Sequence, residues 1–280
     1  MAVYDINGTE IGNYIDPSSI DVEEKNLDYD ATVKSVNHRG YSAEAPENTL
    51  PAYILSKQKG FNFVETDVSF TSDGVAMLLH DATIDRTSNG SGTLANMTYS
   101  QVRQYDFGSW KNAKYAGTKI PTLDEFLYMC KAIMLHPYIE LKSNGGYTQA
   151  QIEGVVDAVH AHGLKGKVTY ISFSSEYLGY VKNYDDEARL GFLSSPKTSD
   201  LTICQGLKTA KNSVFYDVSY YNNAITQEIC DAYAAADIPI EAWTVDSASD
   251  MLGLNKYVSG ITSNNLIAGK VLYDNAMGAT

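Results

Sequence analysis

The chain has 280 residues and a formal net charge of −13, with 44% apolar and 20% charged residues. That composition supports a full hydrophobic core and excludes wholesale disorder. The acidity excludes a duplex nucleic-acid binder, which needs a basic footprint. No run approaches the roughly 18 consecutive apolar residues of a membrane-spanning helix.

Residues 1–30 carry eight acids and one base, Lys25, so this segment alone contributes −7. Val3-Tyr4-Asp5-Ile6 and Thr9-Glu10-Ile11 flank Asn7-Gly8, a hairpin signal, and polar acidic sequence follows to Asp30. The segment reads as an N-terminal arm. A lone hairpin is marginal, so the arm is expected to dock elsewhere or to mediate self-association. The first residues lack the basic start and long apolar run of a signal peptide. Cys130, Cys204 and Cys230 form no CxxC and no paired framework. These features favour a cytoplasmic setting, while an extracellular or particle-associated location stays open.

From residue 33 strands and helices alternate. A strand at 33–37 precedes a helix at 47–59 and a strand at 61–68. An apolar run at 75–79 is entered through the Ser72-Asp73-Gly74 turn. Residues 84–119 are loop-rich, with one short helix near 99–104. A helix at 123–133 is opened by Pro121-Thr122 as turn and cap. A strand at 138–141 leads to a helix at 148–162, where Ile152, Val155, Val156 and Val159 keep a helical period. Strands follow at 167–173, 188–193, 213–218, 240–245 and 259–262, with helices at 174–183, 199–209, 225–236, 247–256 and 264–273. Eight of these strands can share one parallel sheet. The count and size are those of a (β/α)8 TIM barrel over residues 31–280, with a small insertion at about 84–119. A doubly wound sheet would open on a glycine-rich turn, and the first turn here is His-Arg-Gly.

In such a barrel, chemistry sits at the C-terminal ends of strands. Those ends carry His38 and Arg39, then Glu65 and Asp67, then His80, then Glu140 and Lys142. Glu65 and Asp67 are two residues apart, as are Glu140 and Lys142, so each pair shares one face of its strand. Three carboxylates at one mouth repel each other and call for a cation; oxygen ligands favour Ca²⁺ or Mg²⁺. Two imidazoles beside them suit acid–base catalysis. Arg39 and Lys142 add charge that neutralises a phosphate and its transition state. His136, His160 and His162 lie outside this rim and read as surface or capping residues.

These residues form an ordered set. His38-Arg39-Gly40 and Ala45-Pro46-Glu47-Asn48-Thr49 come first. Glu65-x-Asp67, Ser72-Asp73-Gly74, His80-Asp81, Asp85-Arg86-Thr87 and Ile120-Pro121-Thr122-Leu123 follow, then Glu140-Leu141-Lys142. The set resembles the glycerophosphodiester phosphodiesterase family over about residues 33–273. Ala242-Trp243-Thr244-Val245 and Gly260-Ile261-Thr262 match more weakly, and the family's Thr-Asp at the end of strand eight is here Thr262-Ser263-Asn264.

The resemblance implies one divalent metal on Glu65, Asp67 and Glu140. It implies His38 and His80 as base and acid, with neither role assigned between them. A neighbouring glycerol hydroxyl would attack phosphorus to give a cyclic phosphate that water opens, releasing sn-glycerol 3-phosphate and an alcohol. Arg39 and Lys142 would hold phosphoryl oxygens, and Phe173 and Trp243 would wall the glycerol pocket. The segment at 84–119 would cover the mouth.

Two alternatives keep the same site. One is a hydrolase of a glycerol-phosphate polymer such as teichoic acid, which the acidic arm and 21 tyrosines motivate. The other is a lyase that stops at the cyclic phosphate, as in phospholipase D toxins. A catalytically silent binding module would lack a ligand or a histidine, and the sequence has them all.

Overall fold

The computed structural model describes residues 2–4, 10–13, 33–220 and 225–277. Strands β1 (Ala2–Tyr4) and β2 (Glu10–Asn13) pair antiparallel as a separate two-stranded ladder. The expected turn at Asn7-Gly8 and the acidic stretch to Asp30 lie outside the described residues.

After these come β3 (Lys34–Asn37), α1 (Leu50–Gln58), β4 (Phe63–Phe70), β5 (Ala76–Leu78) and the short α2 (Tyr99–Val102). Next are α3 (Leu123–Ala132), β6 (His136–Leu141), α4 (Gln149–Ala161), β7 (Thr169–Ser172) and α5 (Ser175–Tyr184). The chain continues through β8 (Arg189–Ser194), α6 (Leu201–Leu207), β9 (Ser213–Ser219) and α7 (Gln227–Ala235). It ends with β10 (Ile240–Trp243), α8 (Ala248–Leu254), β11 (Gly260–Ser263) and α9 (Ala268–Ala276).

Eight strands run parallel in the order β3-β4-β6-β7-β8-β9-β10-β11, and β11 pairs with β3 to close the ring. This is the expected TIM barrel. Strand β5 lies outside the ring, antiparallel to the far end of β4. That pairing carries β4 on to Phe70, beyond the expected end at 68.

Alternation along each strand sorts the side chains. On β4, Val64 and Val68 face outward into the main core with the helices, and Phe63, Glu65 and Asp67 take the other face. Val36, Tyr138, Ile171, Leu193 and Phe215 fill the barrel interior. Gly191 is required there, because a Cβ would stand 2.2 Å from Cζ of Phe215. At the N-terminal end of the barrel, Glu241 is buried and takes Arg189 at 2.6 Å, Tyr138 Oη at 3.2 Å and Lys34 at 3.3 Å.

Helix ends follow the sequence signals. Thr122 accepts from the Glu125 amide at 3.1 Å, and Glu125 accepts from the Thr122 amide at 2.8 Å. This capping box opens α3, and such a cap contributes about 1 kcal/mol. In α4 the expected stripe of Ile152, Val155, Val156 and Val159 is buried. Helix α1 departs from expectation: it starts at Leu50, not residue 47. Asn48 has a left-handed backbone, φ 55°, which cannot continue into a helix and instead turns its side chain toward β4.

Between β5 and α3, Leu79, Ile84, Leu94, Val102, Phe107 and Ile120 pack with Met77 into a small core of their own. Lys111 Nζ from this segment donates to the Ser42 carbonyl at 2.6 Å, tying it to the loop after β3. Cys130 and Cys204 are buried free thiols, and Cys230 is half-buried. No helix of the described residues is long and apolar enough to cross a membrane.

Candidate active site

The loop after β3 makes a tight left-handed turn. Arg39 has φ 55° and Gly40 φ 76°, and a Cβ on Gly40 would stand 2.7 Å from Cβ of Ala52. Only glycine lets this loop press against α1. The turn aims the Arg39 amide at Glu65 Oε2, 2.9 Å away, and so couples the ends of β3 and β4.

Glu65, Asp67 and Glu140 are buried, and each offers an oxygen within 4.8 Å of the others. Asp67 is the best-compensated of the three. Lys142 Nζ lies 3.2 Å from its Oδ1, and Arg39 Nε lies 3.4 Å from its Oδ2. Asn48 Nδ2 donates to Oδ2 at 2.8 Å. The Asn48 amide is oriented from behind, since Tyr53 Oη and Thr66 Oγ1 lie 3.0 Å and 3.1 Å from its oxygen. Burial alone would raise the acid of Asp67, but Arg39, then Lys142, His80 and the Asn48 bond, hold it well below the ordinary range.

The other two acids are under-compensated. Burial and repulsion from Asp67 push Glu65 well above the ordinary glutamate range, with Arg39 opposing. Burial and Asp67 push Glu140 up to about 7, against Lys142. Lys142 Nζ is 2.9 Å from Glu140 Oε1, yet off the direction of a hydrogen bond, so that buried oxygen lacks one. Three dehydrated carboxylates with too little positive charge are a donor set suited to a hard divalent cation.

The two histidines have different partners. His38 Nδ1 lies 3.0 Å from Asn264 Oδ1, and its Nε2 lies 3.9 Å from Glu65 Oε2. The Asn264 amide donates to Asp246 at 2.6 Å, which fixes its oxygen toward His38. His38 is therefore the Nδ1–H tautomer, with a free electron pair on Nε2. Burial, then Arg39, lowers its pKa to about 4, although Asp67, Asn264 and Glu47 raise it. His80 Nδ1 instead meets a carboxylate, Asp81 Oδ1, at 2.7 Å. Asp81 is bound by Arg86, which also makes two bonds of 2.7 and 2.9 Å to Glu47. Glu47 in turn accepts from Arg39 at 2.9 Å.

Both histidines, two of the three acids and both of their basic neighbours meet at one cavity of about 340 Å³ at the C-terminal end of the barrel. His38, Arg39, Glu65, His80, Glu140 and Lys142 line it, with Phe173 and Trp243 at its wall. The Phe173 and Trp243 rings meet edge to face, 5.7 Å apart, and Phe173 is exposed. Asp67 is buried just behind this surface. The structure thus brings together all nine residues singled out in the sequence.

The family model described as "Glycerophosphoryl diester phosphodiesterase family" matches residues 38–267. The chain belongs to this family. It is similar to a glycerophosphodiester phosphodiesterase of Caldanaerobacter subterraneus subsp. tengcongensis, 28% identical over 231 residues, which covers 82% of this chain and 93% of that one. It is similar in structure to the glycerophosphodiester phosphodiesterase of Agrobacterium tumefaciens, with TM-score 0.70 and 27% identity, over 84% of this chain and 99% of that chain. An Oleispira antarctica phosphodiesterase solved with its product sn-glycerol-3-phosphate also matches. Its TM-score is 0.73 at 25% identity, over 87% of this chain and 96% of that chain.

In this phosphodiesterase, sequence reasoning passed over Asn264, Asp246, Asn48, Glu47 and Arg86 as working parts of the site. Asn264 and Asn48 reach His38 and Asp67 across elements, and Glu47 holds Arg39 within the loop after β3. Asp246 and Arg86 act one step removed, through Asn264 and through Glu47 and Asp81, so no strand period reveals them. Asp217 also lines the cavity. Its signal was present: one acid inside the otherwise apolar strand Val214–Val218.

Proposed function

We infer that the enzyme hydrolyses glycerophosphodiesters to sn-glycerol 3-phosphate and an alcohol, using a divalent cation held by Glu65, Asp67 and Glu140. The observation that carries this reading is the convergence of that carboxylate group, two histidines and two basic side chains on one cavity. The product bound to the Oleispira relative supports the same substrate class. When bound, the cation supplies charge for phosphoryl oxygens and lowers the pKa of a coordinated hydroxyl.

The chain's own groups divide the proton work. His38, neutral at pH 7 with Nε2 unprotonated, takes the proton from the glycerol hydroxyl next to the phosphate. That oxygen bonds to phosphorus, and the bond from phosphorus to the leaving alcohol breaks. His80 delivers its proton to the departing oxygen, and Asp81 balances the ring's charge while it carries that proton. The product of this step is a cyclic phosphate. Water then opens it with the roles exchanged: His80 takes water's proton, and His38 returns its proton to the glycerol oxygen. Arg39 and Lys142 hold the phosphoryl oxygens, while Phe173 and Trp243 flank the glycerol carbons. The segment at 84–119 is tied to the loop after β3 by Lys111 and Arg86.

The test is hydrolysis of glycerophosphocholine after chelation and after return of Ca²⁺ or Mg²⁺. Activity should vanish and be restored. Phosphorus NMR should show open glycerol phosphate as the final product; accumulation of the cyclic phosphate would assign a lyase instead. Turnover untouched by chelation would overturn the metal assignment.

A further inference from the structure

One inward-facing acid of the barrel takes no part in holding the phosphate. Asp217 lies on β9 two residues beyond Phe215, whose ring is in the barrel interior, so both residues face inward. Asp217 is 1% exposed and lines the same cavity as the catalytic rim. Counting round the ring in either direction, β9 is four strands from β4. Asp217 therefore stands across the barrel from Glu65 and Asp67. Between the two sides, the cavity is walled by Ile171, Leu193, Phe173 and Trp243. A ligand whose phosphate is held on the β3, β4 and β6 side thus extends toward Asp217.

This carboxyl is badly provided for within the protein. Its Oδ1 has no hydrogen-bond partner among the described residues. The cation that could serve it, Arg189, is committed to Glu241 at 2.6 Å and to Tyr138 Oη at 2.6 Å. Burial, with Glu241 and Glu140 adding repulsion, pushes its acid well above the usual aspartate range, against Arg189. An unpaired buried carboxyl costs stability, and an apolar residue of similar size would pack there more favourably. A group that weakens the fold and faces a ligand cavity is placed for recognition.

We propose that Asp217 reads the distal hydroxyl of the bound glycerol, the one that takes no part in the attack on phosphorus, and so makes the enzyme select glycerol over propanediol phosphodiesters. The proposal rests on the function inferred above. A carboxyl and a hydroxyl can each donate and accept, so the pair is matched. A site built to bond a hydroxyl rejects the analogue lacking it, because its own polar group is then left unpaired.

The experiment compares wild type, Asp217→Val and Asp217→Asn on two substrates. One is glycerophosphocholine. The other is the phosphocholine diester of propane-1,2-diol, which keeps the attacking hydroxyl and the leaving group but lacks the distal hydroxyl. Wild type should prefer the glycerol diester by about ten- to a hundredfold in kcat/KM. Asp217→Val should lose that preference by falling on glycerophosphocholine alone, and should melt no lower than wild type. Asp217→Asn, which still bonds a hydroxyl, should keep part of the preference. Equal losses on both substrates, a preference that survives in Asp217→Val, or failure of that variant to fold would each overturn the proposal. So would a wild type that does not discriminate, and that result would leave the phosphodiesterase reading intact. A wild type that cleaves neither diester would remove that reading and this inference together.

Discussion

Asn264 holds its carbonyl oxygen 3.0 Å from Nδ1 of His38, and cannot turn it away, because its amide nitrogen is bound to Asp246 at 2.6 Å. Burial and Arg39 keep the ring uncharged, and the Asn264 oxygen holds the proton on Nδ1, so the Nε2 lone pair faces the carboxylates. Asn264→Ala should therefore lower kcat by about ten- to a hundredfold with little change in KM, since ring orientation matters most in the transition state. Asp246→Ala should act in the same direction by freeing the amide to flip. The two changes combined should cost little more than Asn264→Ala alone, because both act through one bond. Fully additive losses in steady-state kinetics would show that they serve separate purposes.

The carboxylate group makes stability depend on pH and metal together. Glu140 ordinarily ionises near 4.5 and is pushed to about 7 in the metal-free fold. Between those values the folded protein holds a proton that the unfolded chain has released, so this group's contribution falls as pH rises. Glu65 shifts in the same direction. His38, lowered from 6.5 to about 4, works in the opposite sense over its own range, so the metal-free curve alone is a mixture. The measurement is the rise in melting temperature on adding Ca²⁺ or Mg²⁺. It should be small near pH 5 and grow up to about pH 7, as the cation no longer competes with protons. A rise that is flat across that range would remove the carboxylates from the metal site.

Arg86 ties the segment after β5 to both sides of the rim. It binds Asp81, the partner of His80, and Glu47, the partner of Arg39. Arg86→Ala should lower kcat by about tenfold or more while the melting temperature barely moves, since the side chain is largely exposed. Arg86→Lys should recover little, because an ammonium cannot make the two-sided planar contact. Full activity in Arg86→Lys would reduce the contact to simple charge.

The rim was legible because a strand's period of two places Glu65 with Asp67 and Glu140 with Lys142 without any knowledge of the fold. The eight-strand count supplied the rest of the barrel. What stayed hidden depends on pairings between distant loops. Asn264 lies 226 positions from His38, and nothing near either residue announces the bond. Asn48 stood inside an expected helix, and only its left-handed backbone shows that it serves Asp67. Asp217 was readable as an acid in an apolar strand, yet its meaning depends on which strand faces β4 across the closed ring.

That ring also sets what the other end of the barrel must do. Glu241 is 2% exposed along its side chain and has Arg189, Tyr138 and Lys34 as partners. The Arg189 guanidinium also lies 4.3 Å from the Phe215 ring centre, so it both neutralises an acid and packs the interior. Removing one member of a buried pair leaves the other charge uncompensated, which costs about 3 kcal/mol. Arg189→Met should therefore destabilise by roughly that amount, and Glu241→Gln in the same background should recover part of the loss. The Met chain preserves much of the packing, so kcat on glycerophosphocholine below the melting transition should stay near wild type. Urea unfolding of the single and double variants reads the first effect, and steady-state kinetics reads the second. A double variant less stable than Arg189→Met alone would show that Glu241 stabilises the barrel by some means other than its ion pair.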